Sequence, residues 1–147
     1  MLNIKIICVG KMKEKFYMDA YNEYAKRLGA YCRLELVELP ESTLDKEATA
    51  VLKYFDKNAY IISMAIEGKK LSSQGLSAMI EQLALNGRSE LIFVIGGSEG
   101  LADEVKHKSD FLLSMSDMTF PHHLARVMLA EQIYRSFKIA EGSKYHK

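Results

Sequence analysis

Tryptophan is absent from this chain of 147 residues, and cysteine and proline occur only twice each. No apolar run approaches the roughly twenty residues needed to span a bilayer; the most apolar stretches, such as Leu91 to Ile95, are far shorter. Cys8 and Cys32 stand alone, without C-x-x-C or Cys/His spacing. That excludes a disulfide framework, argues against a zinc site, and leaves no metal expected. They read instead as two small buried hydrophobes in a reducing compartment. An excess of either charge is also missing, since 20 basic residues face 19 acidic ones for a net +1. Coating nucleic acid through bulk charge is thereby excluded, whereas recognition of one folded RNA site through a local basic patch is not. The opening residues lack a basic leader and a small-residue cleavage site, so they read as a strand rather than a signal peptide. A cytoplasmic location and no membrane association are expected.

The remaining composition, 48% hydrophobic and 27% charged, is that of a globular domain. One domain over residues 1–147 is expected, with no repeat or linker to divide it. Short β-rich runs alternate with helical periodicity. Strands are expected over Leu2 to Val9, from Cys32 through the apolar Leu34 to Leu39, Tyr60 to Ile66, Leu91 to Ile95 and Phe111 to Met115. Helices are expected over Phe16 to Leu28, Thr43 to Phe55, Ser72 or Ser73 to about Leu85, Ala102 to Lys108, and from Pro121 to about Ala140. Continuous apolar strands separated by helices predict an α/β fold, a mostly parallel sheet covered by helices. Ligands of such sheets bind beyond the carboxyl ends of the strands. That rule selects Ile66 to Leu71, Gly96 to Gly100, and Ser114 to His122.

Gly96-Gly97-Ser98-Glu99-Gly100 lacks both the G-x-G-x-x-G fingerprint and the Walker spacing. A tight turn and a cofactor loop fit it about equally. In the Ser114 to His123 segment, Pro121 suits the first turn of a helix and Thr119 a cap. The adjacent His122 and His123 can bind anions, shuttle protons or be solvated. On the last helix Val127, Ala130, Ile133, Tyr134, Phe137 and Ala140 gather on one broad face. Arg126 lies inside that arc, where a guanidinium is costly unless it snorkels, is paired, or sits at a site or interface. The breadth of the face favours self-association. The basic, aromatic tail Gly142 to Lys147 either frays or stacks on a base and contacts phosphate.

Taken in order, several stretches resemble the ribosomal RNA large subunit methyltransferase H family, of the SPOUT class. These are Ile6 to Lys15, Glu67 to Ser73, Phe93 to Leu101, Met118 to His122, Glu131 to Lys138, and the terminal Tyr145-His146-Lys147. The resemblance implies a C-terminal trefoil knot, which general topology rules would not suggest. It implies a homodimer packed through the last helix. It further implies S-adenosylmethionine-dependent methylation of N3 of a pseudouridine in 23S rRNA within the assembled 70S ribosome. The family's cofactor contacts, mostly main-chain, fall on Met64, Gly96, Met115, Ser116, Asp117, Met118, Thr119 and Phe120. Two departures stand out: Met64 where leucine is common, and Asp117 where lysine often occurs. Proton removal or anion stabilisation at the target nitrogen points to His122, Arg126 and His146, with Tyr145 and His146 reaching a partner's site. Competing readings are a non-enzymatic nucleotide-binding or flavodoxin-like module and a ribosome-associated factor that has lost catalysis.

Overall fold

In the computed structural model, which describes residues 1–146, strands and helices alternate throughout. They are β1 (Leu2–Val9), α1 (Lys15–Leu28), β2 (Cys32–Leu39), α2 (Leu44–Leu52), β3 (Tyr60–Lys70), α3 (Ser73–Leu85), β4 (Glu90–Ile95), α4 (Asp103–His107), β5 (Phe111–Ser114) and α5 (His122–Ala140). Lys147, the end of the tail stretch, lies outside the described residues. The sheet order is β2-β1-β4-β3-β5. Every pairing is parallel, as the continuous apolar strands lead one to expect.

Alternation along β1 explains why that strand is apolar on both faces. Ile4, Ile6 and Cys8 join Phe93 and Ile95 beneath α1, α3 and α5, where Tyr21, Leu28, Leu76, Ile80, Leu129 and Ile133 cover them. Ile7 and Val9 join Val94 on the other face beneath α2 and α4, against Ala48, Val51 and Val105. Cys8 and Cys32 are both buried free thiols. Burial pushes the Cys8 thiol up to about 12 and Cys32 up to about 11, so neither serves as a thiolate at neutral pH.

Local chemistry sets most boundaries. The Ser72 hydroxyl accepts from the Gly75 amide and caps α3, and Gly87, at φ +86, lets the chain leave it. β2 begins at Cys32, where the ladder to β1 starts. Two expected boundaries are corrected. α2 stops at Leu52, and Tyr54 and Phe55 form tighter turns onto Val51 and Leu52. Pro121 is itself the N-cap of α5, outside the first turn, and no side chain, Thr119 included, caps that helix.

The largest departure is in β3, which runs to Lys70 instead of ending at Ile66. Met64 pairs with Leu113 of β5, and Lys69 then pairs with the same residue, so residues 65–68 bow out of the ladder. A Cβ on Gly68 would lie 2.6 Å from the Leu112 carbonyl carbon and oxygen, so the bow closes against bare β5 backbone. This irregularity keeps the ends of β3 and β5 together and re-aims the chain at the edge of the sheet.

Candidate functional site

The exits of β3 and β5 frame a cavity of about 170 Å³. Met64, Ala65 and Ile66 line it from the bow of β3, and Met115, Ser116, Met118, Thr119 and Phe120 from the β5–α5 loop, with Ala125 closing it from α5. Six of the eight residues assigned to the methyl donor are therefore brought together: Met64, Met115, Ser116, Met118, Thr119 and Phe120. Ile66 and Met118, 55% and 72% exposed, leave an apolar rim open to solvent. A second cavity of about 530 Å³ lies between α1, α3 and α5, bounded by Tyr24, Leu71, Ser73, Met128 and Gln132. Both include Leu113, Ser114 and Met115 in their walls.

The loop itself is held from its two ends. The Ser114 hydroxyl donates to the Ser116 carbonyl, and the Met118 amide donates to the Ser116 hydroxyl. Asp117 turns away from the cavity lining and pairs with Lys70 at the end of β3. The amides of Asp117, Thr119 and Phe120 donate to no other main-chain group among the described residues. The thioethers of Met64, Met115 and Met118 and the ring of Phe120 give the cavity a polarisable, largely apolar lining.

Gly96 does not join them. Its missing Cβ is explained by its own loop, since the Gly100 carbonyl packs directly on it and the Gly100 amide donates to Gly97 at 3.0 Å. Gly97 and Gly100 form an isolated bridge. This is the geometry of a tight turn, at the exit of β4 beside β3 in the sheet.

At the start of α5, His122 is half-buried, and its Nε2 is buried without a hydrogen-bond partner. Burial, reinforced by His123 and Arg126, holds the imidazole below its ordinary value of 6.5. The ring is thus neutral at pH 7, and its 4.0 Å approach to Glu41 is not an ion pair there. His123 Nδ1 stands 3.1 Å from Glu14 Oε2. Arg126 is fully buried, donating to Glu38 at 2.6 Å and to the Gly10 carbonyl at 3.0 Å. Of the options open to this guanidinium, snorkelling is excluded and pairing is observed. Glu38 also accepts from the Met12 amide at 2.9 Å, so the pair ties α5 to the β1–α1 loop.

The tail folds back instead of fraying. Tyr145 donates to Glu131 at 2.9 Å and lies 4.9 Å from the Arg135 guanidinium. Burial and the Glu131 carboxylate push its phenol up to about 12, which keeps it protonated. His146 Nδ1 is 3.0 Å from Arg135, and its Nε2 is 2.9 Å from Gln74. Arginine is always a donor and the Gln74 contact is made by its side-chain NH2, so both neighbours are donors and a neutral imidazole accepts from only one of them. The four proposed reaction residues thus fall into two groups, His122 with Arg126, and Tyr145 with His146. The sequence reading assigned no role to Glu38, Gln74, Glu131 or Arg135. A signal existed for two pairs: Glu131 and Arg135 have i,i+4 spacing, and Glu38 interrupts the apolar run of β2 as Arg126 interrupts that of α5.

Comparisons with known proteins agree with this architecture. A family model described as "Predicted SPOUT methyltransferase" matches residues 2–146. The chain is 46% identical to the ribosomal RNA large subunit methyltransferase H of Clostridium acetobutylicum and to that of Bifidobacterium adolescentis. Each alignment covers 99% of this chain and 100% of the relative. Among solved structures, it is similar in fold to a probable methylase family protein from Haemophilus influenzae, at 11% identity and a TM-score of 0.60 over 99% of this chain and 71% of the other. The SpoU methyltransferase AviRb from Streptomyces viridochromogenes, solved in complex with the cofactor AdoMet, gives 10% identity and a TM-score of 0.50 over 97% of this chain and 59% of its own.

Proposed function

The chain belongs to the SPOUT methyltransferase family, and on that premise we propose that it transfers a methyl group from S-adenosylmethionine to N3 of a pseudouridine in 23S rRNA. The full-length similarity to ribosomal RNA large subunit methyltransferases supports the substrate class. The observation that carries the reading is the meeting of β3 and β5 exits in one cavity, which unites six expected donor contacts from distant parts of the sequence. The proposal extends to a single domain, a C-terminal trefoil knot, and a cytoplasmic homodimer that recognises the assembled 70S ribosome.

S-adenosylmethionine, when bound, supplies a methyl group already activated by the sulfonium charge. The chain's task is then to align the nucleophilic nitrogen in line with that group and to remove its proton. The loop from Met115 to Phe120 would hold the donor, with its unused amides fixing the polar end and Met64, Met115 and Phe120 enclosing the apolar part. His122 is the assigned base, because it is neutral at pH 7 and its Nε2 has no other partner. His146 is assigned a positioning role, since both its ring nitrogens are engaged, one by Arg135 and one by Gln74. Tyr145 stays a hydroxyl donor to Glu131 and holds the tail in place. Arg126 acts through Glu38 and the Gly10 carbonyl by fixing the helix that carries His122.

Self-association is supported by the exposed apolar residues Ile66 and Met118 at the cavity rim. The breadth of α5 supports it less than the sequence implied, because α1, α3 and the tail already cover much of that helix. Calorimetry with S-adenosylmethionine, ATP and flavin mononucleotide tests the site. Binding of the first alone is expected, and binding of a nucleotide in its place would overturn the assignment.

A further inference from the structure

The β1–α1 loop presents charges that the donor site does not use. Met12 is buried, while Lys11 and Lys13 on either side of it are exposed. Neither lysine has an ion-pair partner among the described residues, whereas Lys15 is paired with Asp19. The loop is held at several points: the Gly10 amide donates to Leu39, the Gly10 carbonyl accepts from Arg126, and the Met12 amide donates to Glu38. Just beyond it, Phe16 in the first turn of α1 is 67% exposed and packs at 4.4 Å on the Tyr17 ring.

The neighbouring carboxylates are mostly occupied. Glu38 is bonded to Arg126, and Glu14 is held by its own backbone and His123, which keep it below the usual carboxylate range. Glu41 is the exception, because it makes no ion pair with the neutral His122 and lies beside Gly10. What projects from an anchored backbone is therefore two unpaired ammonium groups and one bare phenyl ring. Protein partners reward aromatic anchors in apolar pockets, but two free cations on the loop that leads into an exposed aromatic ring fit RNA better. Its phosphates take the cations, and any unstacked base offers a face to the ring. Arg126 touches this loop, and its neighbour Ala125 lines the donor cavity, so the first turns of α5 reach both surfaces.

We infer that Lys11, Lys13 and Phe16 form a preorganised RNA contact that grips the strand beside the target nucleotide, two phosphates on the lysines and an unpaired base on the phenyl ring. This rests on the rRNA reading above and names the surface by which that substrate is held. Because the loop is tied down before binding, little ordering entropy opposes the contact.

The test is titration of fluorescently labelled protein with 70S ribosomes lacking the modification, over a range of salt concentrations, with methyl incorporation followed in parallel. For Lys11→Ala/Lys13→Ala, the slope of log affinity against log salt should shrink by about two, one for each phosphate contact. Phe16→Ala should weaken binding at least about fivefold with the salt slope unchanged, and Phe16→Tyr should restore it. Affinity for S-adenosylmethionine should not change in any of these variants. A parent chain that binds ribosomes but transfers no methyl group leaves the contact standing and defeats the methyltransferase reading. Methylation by the parent with unchanged slope and affinity in the variants overturns the contact alone. A changed sedimentation coefficient in place of changed ribosome affinity would assign the patch to a second copy of the chain and overturn it too.

Discussion

Arg126 shows how far single residues were legible. Its misfit with the apolar arc of α5 is plain in the sequence, and so is the short list of ways to accommodate it. Its partner is not, because Glu38 is 88 positions away and only the sheet order brings them together. Arg126→Leu should cost about 3 kcal/mol by leaving Glu38 unpaired and half-buried, which is roughly 6–12 °C in Tm for a domain of this size. A thermal melt showing a loss under 1 °C would contradict the clamp. His122 gives a pH prediction. Its folded value lies below 6.5 because burial disfavours the imidazolium, so the unfolded chain binds the proton more readily. The stability it contributes is present above about pH 6.5 and is lost as pH falls through the folded value. As the base, His122 should keep kcat/KM flat down to about pH 6.5, with the acid limb below that. His122→Gln should remove this limb and lower kcat about 100-fold or more. An unchanged pH profile in that variant would move the base elsewhere.

Elements were more legible than their ends. Apolar runs placed every strand, and periodicity placed every helix, because burial on both faces of a parallel sheet leaves a strong pattern. The bow in β3 was not legible, since Ala65 to Gly68 reads as the end of one strand when it is an interruption within it. Only the backbone contact of Gly68 reveals why a glycine stands there. Gly68→Ala should therefore destabilise by about 2 kcal/mol or more, as the new methyl group meets β5 backbone that cannot yield. Gly87→Ala meets no atom within 4 Å and suffers only its positive φ, at about 1 kcal/mol. Urea unfolding of the two variants compares these costs, and equal values would show that β5 gives way. Likewise, the close packing of the Gly100 carbonyl on Gly96, which makes the loop a tight turn, was not legible in the spacing of its glycines.

At the scale of the whole molecule, the fold class was legible but the meeting of segments was not. Spacing alone selected three crevice segments, and two of them, at the exits of β3 and β5, line one cavity. The exposed rim of Ile66 and Met118 predicts that sedimentation equilibrium will return twice the monomer mass, and that Met118→Asp will shift it toward one. A monomeric parent chain would remove the partner from the account. The central claim is methyl transfer to rRNA, tested most directly by incubating the protein with labelled S-adenosylmethionine and 70S ribosomes lacking the modification, then analysing 23S rRNA nucleosides by mass spectrometry. The account predicts one labelled product, N3-methylpseudouridine; absence of label, or label on any other nucleoside, would contradict it.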